Sequence, residues 1–234
     1  MRSPSTGTVE DSSSALFPVG LGGKLPHSTS PVGGLRMDRE PQHQPVMATE
    51  VVELFAPVPA GVIVDATVGT GGHAVALLAA HQRLGVLGLD RDPQALGIAA
   101  GRLAAFGSRA VLQHARFSDL DSVVGEARAA GRGRWPSSGE VSGSPQPISG
   151  AIFDLGVSSL QLDLAERGFS YRFDVPLDMR MDPGESAGAL EAVNETDLAE
   201  LTDWLRASGE GRMSRRVARA IVAARPIATT GQLA

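Results

Sequence analysis

Two clusters of polar residues and glycines have the types and spacing to do chemistry, because each directly follows a short apolar run. Gly69-Thr-Gly-Gly-His73 follows Val62-Ile-Val-Asp65, and Asp154-Leu-Gly-Val-Ser-Ser159 follows Ala151-Ile-Phe153. A short run rich in β-branched residues is typical of a buried parallel strand. Ligands of α/β proteins bind beyond the carboxyl ends of such strands, and glycines there let the backbone approach a ligand closely. The two clusters therefore predict a ligand site.

The ligand that this pattern predicts is a nucleoside. Asp90 ends the apolar run Val86-Leu-Gly-Leu89 and follows Asp65 by 25 positions, close to the ~20-residue spacing of an acid that binds ribose hydroxyls. The glycine loop lacks the third glycine of a dinucleotide fingerprint and the Gly-Lys-Ser/Thr of a phosphate loop, which disfavours NAD and ATP. From the loop alone, S-adenosylmethionine and other nucleoside ligands both remain open.

Asp154 is the candidate catalytic residue. A carboxylate at the end of an apolar run is costly to bury unless another group pairs with it, so we predict a functional role for it. It would accept hydrogen bonds from an ammonium group of the ligand or from a substrate amine, with Ser158 and Ser159 as alternative acceptors. The chain has no cysteine and no His/Cys spacing typical of metal ligands, so we predict no metal.

Aromatic residues and arginines indicate further contacts. The ring of Phe117 could stack on an adenine, although a single phenylalanine is more often part of a core. Phe169, Tyr171 and Phe173 alternate with polar residues, which suits either a base-stacking segment or a half-buried strand.

The arginines are concentrated near the end of the chain, although the formal net charge of the whole chain is -5. Six arginines and one acid, Glu210, lie between Arg206 and Arg225. Helical spacing predicts an apolar face and arginine-rich faces, with Met213, Val217, Ala220, Ile221 and Ala224 on the first and Arg212, Arg215, Arg216 and Arg219 on the others. Such a helix is either a solvated surface helix or a phosphate-binding one.

Longer motifs, in a fixed order over about residues 43–234, resemble the RsmH (MraW) family. These bacterial methyltransferases modify the exocyclic N4 amine of a cytidine in 16S ribosomal RNA. The matching segments are His43-Gln-Pro-Val-Met47 with Glu50, Gly69-Thr-Gly-Gly-His73, Asp90-Arg-Asp-Pro93, Phe117-Ser118, Asp154-Leu-Gly-Val-Ser-Ser159, Gln161-Leu-Asp163, Glu166-Arg-Gly-Phe-Ser170, Pro176-Leu-Asp-Met-Arg-Met-Asp182 and Arg216-Val-Ala-Arg-Ala-Ile221.

The resemblance implies an enzyme that uses S-adenosylmethionine as cofactor and 16S ribosomal RNA in the small ribosomal subunit as partner. It implies that the donor is held at the first turn by Gly71, Gly72 and His73, at the ribose by Asp90, and near the adenine by Phe117. Asp154 and Gln161 complete the implied set.

The alternation of predicted strands and helices indicates an α/β fold with a parallel Rossmann-like sheet. The resemblance implies that this is a class I methyltransferase sheet, incomplete here, with an inserted helical subdomain. We expect strands at 62–65, 85–89, 109–113 and 149–153, and helices at 71–81, 93–105 and 118–130. A further helix is expected to run to Ala207, capped by Asn194 or Thr196 and stopped by Gly209, with the basic helix after it.

The predicted domains are a disordered extension at 1–40, a donor-binding domain at 41–182 with a flexible insertion at 131–147, and the start of a helical substrate-binding subdomain at 183–234. The composition of residues 1–40 is typical of disorder. No signal peptide or membrane-length apolar span is present, so we predict a cytoplasmic protein with no membrane partner.

Only four strands are predicted, which makes the sheet incomplete and the chain truncated relative to the family, with an exposed edge beside the fourth strand. Two alternatives to the RNA methyltransferase therefore remain. One is a methyltransferase for a small molecule, and the other is a catalytically inactive fragment that only binds the donor or RNA.

Overall fold

The computed structural model describes residues 45–130 and 147–234. The chain divides into two compact units, one ending at Asp154 and the other formed by Leu155–Ala234, and each is described by itself. The predicted extension at 1–40 lies outside the described residues, as does the predicted insertion at 131–147 apart from Pro147.

The first unit contains a parallel sheet of four strands: β1 (Gly61–Asp65), β2 (Leu84–Asp90), β3 (Ala110–His114) and β4 (Ile148–Ile152). Their order across the sheet is β3-β2-β1-β4, and every neighbouring pair is parallel. The chain steps outward from β1 to β3 and then returns to the opposite side of β1. The predicted Rossmann-like α/β sheet is therefore confirmed, and the strand order reverses between β1 and β4.

Within its described residues this unit has four α-helices: α1 (Ala48–Leu54), α2 (Gly72–Ala80), α3 (Pro93–Leu103) and α4 (Leu120–Ala129). Three of them confirm predicted helices to within a few residues, whereas α1 was not predicted. The helix α3 begins as expected, because the Asp92 carboxylate accepts hydrogen bonds from the backbone N–H groups of Gln94 and Ala95. Pro93 supplies a pre-set φ at the first helical position.

The core of the first unit lies on both faces of the sheet. All five residues of β1 are buried, and neighbouring strand residues point to opposite faces. Ile63 packs in a cluster with residues of α2 and α3, whereas Val64 packs on the other side with Val123 of α4. A strand covered on both faces explains why β1 is continuously apolar up to Asp65.

The strand β4 is more exposed than β1. Among residues 45–130 and 147–234 it pairs only with β1, and only Ile152 of its five residues is fully buried. Ile148 is 40% exposed. The predicted exposed edge beside the fourth strand is therefore present in the described part of the chain.

The second unit contains five helices: α5 (Ser159–Asp163), α6 (Ala189–Glu195), α7 (Leu198–Leu205), α8 (Ser214–Ala224) and α9 (Thr230–Leu233). Its small core joins Leu177 to Val193 and Ile227, and Pro176 forms an isolated antiparallel bridge with Thr229. Residues before 183 thus pack on the helical segment. For this reason the division by contacts falls after Asp154, earlier than the boundary that we drew at 182.

The predicted start of the helix before Gly209 is wrong. The cap of α7 is Asp197, whose carboxylate accepts hydrogen bonds from the N–H groups of Ala199 and Glu200, and neither Asn194 nor Thr196 fills this position. The side chain of Asn194 is engaged elsewhere, because its amide donates to the carbonyl oxygens of Leu190 and Ile227. That tertiary contact with residue 227 was not visible in the local pattern.

The basic helix α8 forms, but its apolar face differs from the predicted one. Ser214 and Ala218 are buried and Ile221 is half-buried, whereas Met213 is 46% exposed. Small residues therefore face the interior, and part of the predicted face points to solvent. The arginines behave as expected, since all four on the predicted arginine-rich faces are exposed: Arg212, Arg215, Arg216 and Arg219.

The aromatic segment Phe169–Phe173 forms no strand in the structure, so the half-buried strand interpretation is wrong. Tyr171 is 79% exposed and Phe173 is 42% exposed. A strand needs a neighbouring strand to pair with, and in the described part of the chain this segment has none; its Phe173 carbonyl oxygen accepts instead from the hydroxyl of Thr230. None of the described helices is both long and apolar enough to span a membrane.

Candidate functional site

The candidate site lies beyond the carboxyl ends of β1, β2 and β4, where the strand order reverses. The turn after β1 begins with a hydrogen bond of 3.3 Å from the N–H of Thr67 to Asp65 Oδ1. It ends at Gly71, which caps α2 with a left-handed φ of 85° that favours glycine. This turn presents the backbone of Gly71 and Gly72 at the edge of the sheet.

The segment Pro45–Met47 lies against this turn. A side chain on Gly72 would place its Cβ 3.1 Å from side-chain atoms of Pro45, so the proline ring packs closely on the Gly72 backbone. Nε2 of His73 is 2.8 Å from the carbonyl oxygen of Val46, within hydrogen-bonding distance. His73 is 8% exposed. The His73 ring is therefore buried beside the glycine turn. This burial excludes a ring that points into solvent from the start of the helix.

Asp90 holds the glycine turn from the neighbouring strand. Its Oδ2 accepts a hydrogen bond of 2.7 Å from the N–H of Gly69, and its Oδ1 accepts one of 2.9 Å from the N–H of Asp92. Burial raises the pKa of this carboxyl above its ordinary value. The backbone of Arg91 also hydrogen-bonds to this carboxyl. A carboxylate offers about four lone-pair positions, so Asp90 retains acceptor capacity for a ribose hydroxyl beyond its backbone bonds.

Asp65 is a site residue that our interpretation of the sequence missed. It is 1% exposed, and its Oδ2 is buried without a hydrogen-bond partner in the described part of the chain. Burial raises the pKa of this carboxyl to about 7, and the charges of His73, Asp90 and Asp154 also act on it. The signal was available, because Asp65 ends an apolar run before a glycine turn, as Asp90 ends the next strand.

Asp154 is exposed, so the burial cost that we assigned to it is wrong. Its side chain is 55% exposed, and Oδ2 lies 4.0 Å from Nδ1 of His73. The strand β4 is largely exposed and ends at Ile152. Asp154 lies two residues beyond this end, and its side chain is therefore exposed to solvent. Its backbone is held nonetheless, because the Asp154 N–H donates a hydrogen bond of 2.8 Å to Oγ1 of Thr67.

Phe117 is not a core residue. It is 49% exposed, as is Phe153, and the two rings meet edge to face with centroids 6.2 Å apart and planes at 82°. Phe117 begins the 3-10 turn before α4, and Phe153 immediately precedes Asp154. An exposed aromatic pair of this kind offers a surface for a flat ring.

Gln161 belongs to the second unit, where it lies in the first turn of α5. Its Oε1 accepts a hydrogen bond of 3.0 Å from the N–H of Ser158, and its own N–H donates to Oγ of Ser158 at 3.2 Å. These two bonds form a capping box. The structure therefore brings six of the seven candidates together in the first unit and gives Gln161 a structural task in the second.

The charged motif at 178–182 forms hydrogen bonds within the second unit. The Arg180 guanidinium donates a hydrogen bond of 2.6 Å to Asp178 Oδ1, and this bond lowers the pKa of the Asp178 carboxyl. The buried Arg167 donates to the carbonyl oxygens of Arg180 and Met181. Asp178 and Arg180 therefore form a local ion pair. No group of three or more His, Cys, Asp or Glu side chains in the described ranges is arranged to hold a metal ion.

A parallel sheet whose central strand is covered on both faces, a glycine turn after β1 and acids at the ends of β1 and β2 define the class of the first unit: it is a Rossmann-like α/β domain. Residues 40–234 match the model of the MraW methylase family, and the chain belongs to that family.

Individual relatives agree with this membership. The chain is 46% identical over 200 residues to a ribosomal RNA small subunit methyltransferase H of Kocuria rhizophila, covering 83% of this chain and 56% of that protein. The protein of the same name from Thermobifida fusca matches with the same identity and coverage. The chain thus spans about half the length of the curated relatives it matches. An rRNA methylase structure from Streptococcus thermophilus aligns over 32% of this chain and 41% of its own, with 25% identity and a TM-score of 0.27.

Proposed function

We propose that this protein takes part in methylating the N4 amine of a cytidine in 16S ribosomal RNA of the small ribosomal subunit, with S-adenosylmethionine as methyl donor. The observation that best supports this proposal is the gathering of a glycine turn and three acids where the strand order reverses, in a chain of the MraW methylase family. Its curated relatives are named as small subunit ribosomal RNA methyltransferases.

The residues of the first unit fit such a donor. Gly71 gives the first turn its left-handed φ, Gly72 lets Pro45 pack closely against it, and His73 lies buried beside it. Asp90 retains acceptor capacity for a ribose hydroxyl, and the half-exposed ring of Phe117 suits adenine. When bound, S-adenosylmethionine supplies a methyl group that its sulfonium centre has already activated. Gln161 stays in the proposed set on the family resemblance alone.

Asp154 is the proposed acceptor for the target amine. The lone pair of a cytosine N4 amine is delocalised into the ring, so an acceptor that bonds its hydrogens helps the nitrogen to become nucleophilic. The Asp154 carboxylate is exposed, and Thr67 holds its backbone. Orientation is the main task of such a site, and the anchored backbone serves that task.

The second unit offers a surface for the RNA. Arg215, Arg216 and Arg219 project from α8 into solvent, and arginines of this kind bind phosphates through charge. Tyr171 is also strongly exposed and suits stacking on an unpaired base. A small molecule would need neither feature, which favours an RNA substrate.

The test is transfer of labelled methyl from S-adenosylmethionine to unmethylated small ribosomal subunits, followed by identification of the modified base. We expect label on a cytidine N4 amine, a large loss for Asp154→Ala, and a smaller loss for Asp154→Asn, because the amide retains one acceptor oxygen. Unchanged transfer by Asp154→Ala would reject the role of Asp154.

Donor binding is measured on the same samples, so that a failure to transfer can be interpreted. Donor binding without label on RNA would favour the two alternatives, a small-molecule enzyme or an inactive fragment. If the chain does not bind the donor, the cofactor proposal fails.

A further inference from the structure

A hydrogen-bonded chain joins the ends of β1 and β4. Asp65 Oδ1 accepts from the N–H of Thr67 at 3.3 Å, and Oγ1 of Thr67 accepts from the N–H of Asp154 at 2.8 Å. The residues Thr67 and Asp154 are 87 positions apart in the chain. This contact therefore links the turn after β1 to the strand end that presents Asp154.

We infer that Thr67 and Asp65 are positioning residues for Asp154: Thr67 holds the Asp154 backbone through its hydroxyl, and Asp65 holds Thr67 through its buried carboxyl. Neither residue touches a reacting atom in this arrangement. The inference deepens the proposed function and rests on it, since the purpose of the link is the orientation of Asp154.

The hydroxyl of Thr67 is what anchors Asp154. Beyond Ile152 the chain has left the sheet, so pairing within the sheet no longer fixes the Asp154 backbone. The carboxylate itself is solvent-exposed, and its neighbour His73 is 4.0 Å away. Without the hydrogen bond to Thr67, the Asp154 backbone would therefore lose its anchor. The proposed acceptor would then no longer be held in one position.

The buried carboxyl of Asp65 makes the link sensitive to protonation. The titratable groups that face it are His73 on α2, Asp90 on β2 and Asp154 after β4, and burial places its pKa at about 7. Its second oxygen has no hydrogen-bond partner in the described ranges. Loss of its proton near neutral pH thus places a buried charge directly behind Thr67, and this change reaches Asp154 through the Thr67 backbone and hydroxyl.

The first test is independent of catalysis. The backbone amide resonance of Asp154 is followed by NMR between pH 5 and 9 in the full chain and in Thr67→Val, Thr67→Ser and Asp65→Asn. We expect a pH-dependent shift in the wild type and in Thr67→Ser, because serine keeps the hydroxyl, and a much smaller shift in Thr67→Val and Asp65→Asn. An identical titration in the wild type and Thr67→Val would overturn the inference, even if methyl transfer itself is never observed.

The second test asks whether Thr67 acts through Asp154. Transfer rates are measured for Thr67→Val, Asp154→Ala and the double variant, with melting temperatures as a control for folding. We expect Thr67→Val to lower the rate about tenfold or more, a typical cost of a misplaced group, and Thr67→Ser to restore most of it. In the Asp154→Ala background, Thr67→Val should cost nothing further. Additive losses in the double variant would contradict a positioning role.

Discussion

Asp65→Asn should change how the stability of this protein depends on pH. The Asp65 carboxyl is 1% exposed, and its pKa rises from the ordinary value of 3.8 to about 7, mainly because burial disfavours the charged form. Between these two values the folded protein holds a proton that the unfolded chain has released. The unfolded state thus binds fewer protons, so the free energy of unfolding falls as pH rises through this window.

The size of the effect follows from the shift. A pKa change of one unit corresponds to about 1.4 kcal/mol, so a shift of about three units corresponds to roughly 4 kcal/mol of stability present at acid pH and lost by about pH 8. Asparagine cannot ionise, and it retains an oxygen that accepts from the N–H of Thr67. The free energy of unfolding of Asp65→Asn should therefore not show this fall with rising pH. Burial of its uncharged amide N–H groups costs about 1–3 kcal/mol, and this cost is independent of pH.

The measurement is urea unfolding of the full chain by circular dichroism at pH 5, 6, 7 and 8. The stability of the wild type minus that of Asp65→Asn should fall with increasing pH, by up to about 1.4 kcal/mol per unit. Asp65→Glu is the matched control, since it retains a carboxyl at the same place and should keep the slope. Parallel curves for the wild type and Asp65→Asn would refute the assignment of a buried, proton-binding carboxyl.

Three further predictions concern packing, the donor and RNA. Gly88→Ala would place a Cβ 2.8 Å from Val68 and should destabilise the protein by about 1–3 kcal/mol. The control Gly97→Ala meets nothing within 4 Å at an exposed position of α3 and should stabilise the protein by about 0.5–1 kcal/mol, so equal unfolding midpoints would contradict both. Phe117→Ala should weaken binding of S-adenosylmethionine by about 5- to 100-fold. The stability of the protein should change little, because the ring is half-exposed. Calorimetry measures both the affinity and the stability, and an unaltered affinity would remove Phe117 from the site. Arg216→Gln should reduce the salt dependence of binding to an RNA fragment of the small subunit by about one unit of log–log slope without affecting donor binding, and an unchanged slope would exclude Arg216 from the RNA surface.

Several elements could be predicted because their signals are local. The run Val62–Val64 is continuously apolar, and Asp92 with Pro93 combines a capping carboxylate with a pre-set φ, so the strand and the start of α3 follow from neighbouring residues. The same holds for the left-handed turn at Gly71. Prediction failed where distant residues compete. Asn194 looked like a cap but bonds to Ile227 instead, and a local pattern contains no information about that contact.

The order and type of the elements in the first unit, its glycine turn and the family of the chain were all determined by the amino-acid sequence, because each depends on local patterns or on motif order. The tertiary structure alone decided which acid is buried. Asp65 and Asp154 both follow apolar runs, yet β1 lies between two neighbours and β4 at the exposed side of the described sheet. Burial depends on the position of a strand in the sheet, which is set by long-range pairing, and so burial raises the pKa of the Asp65 carboxyl while the Asp154 side chain is exposed to solvent.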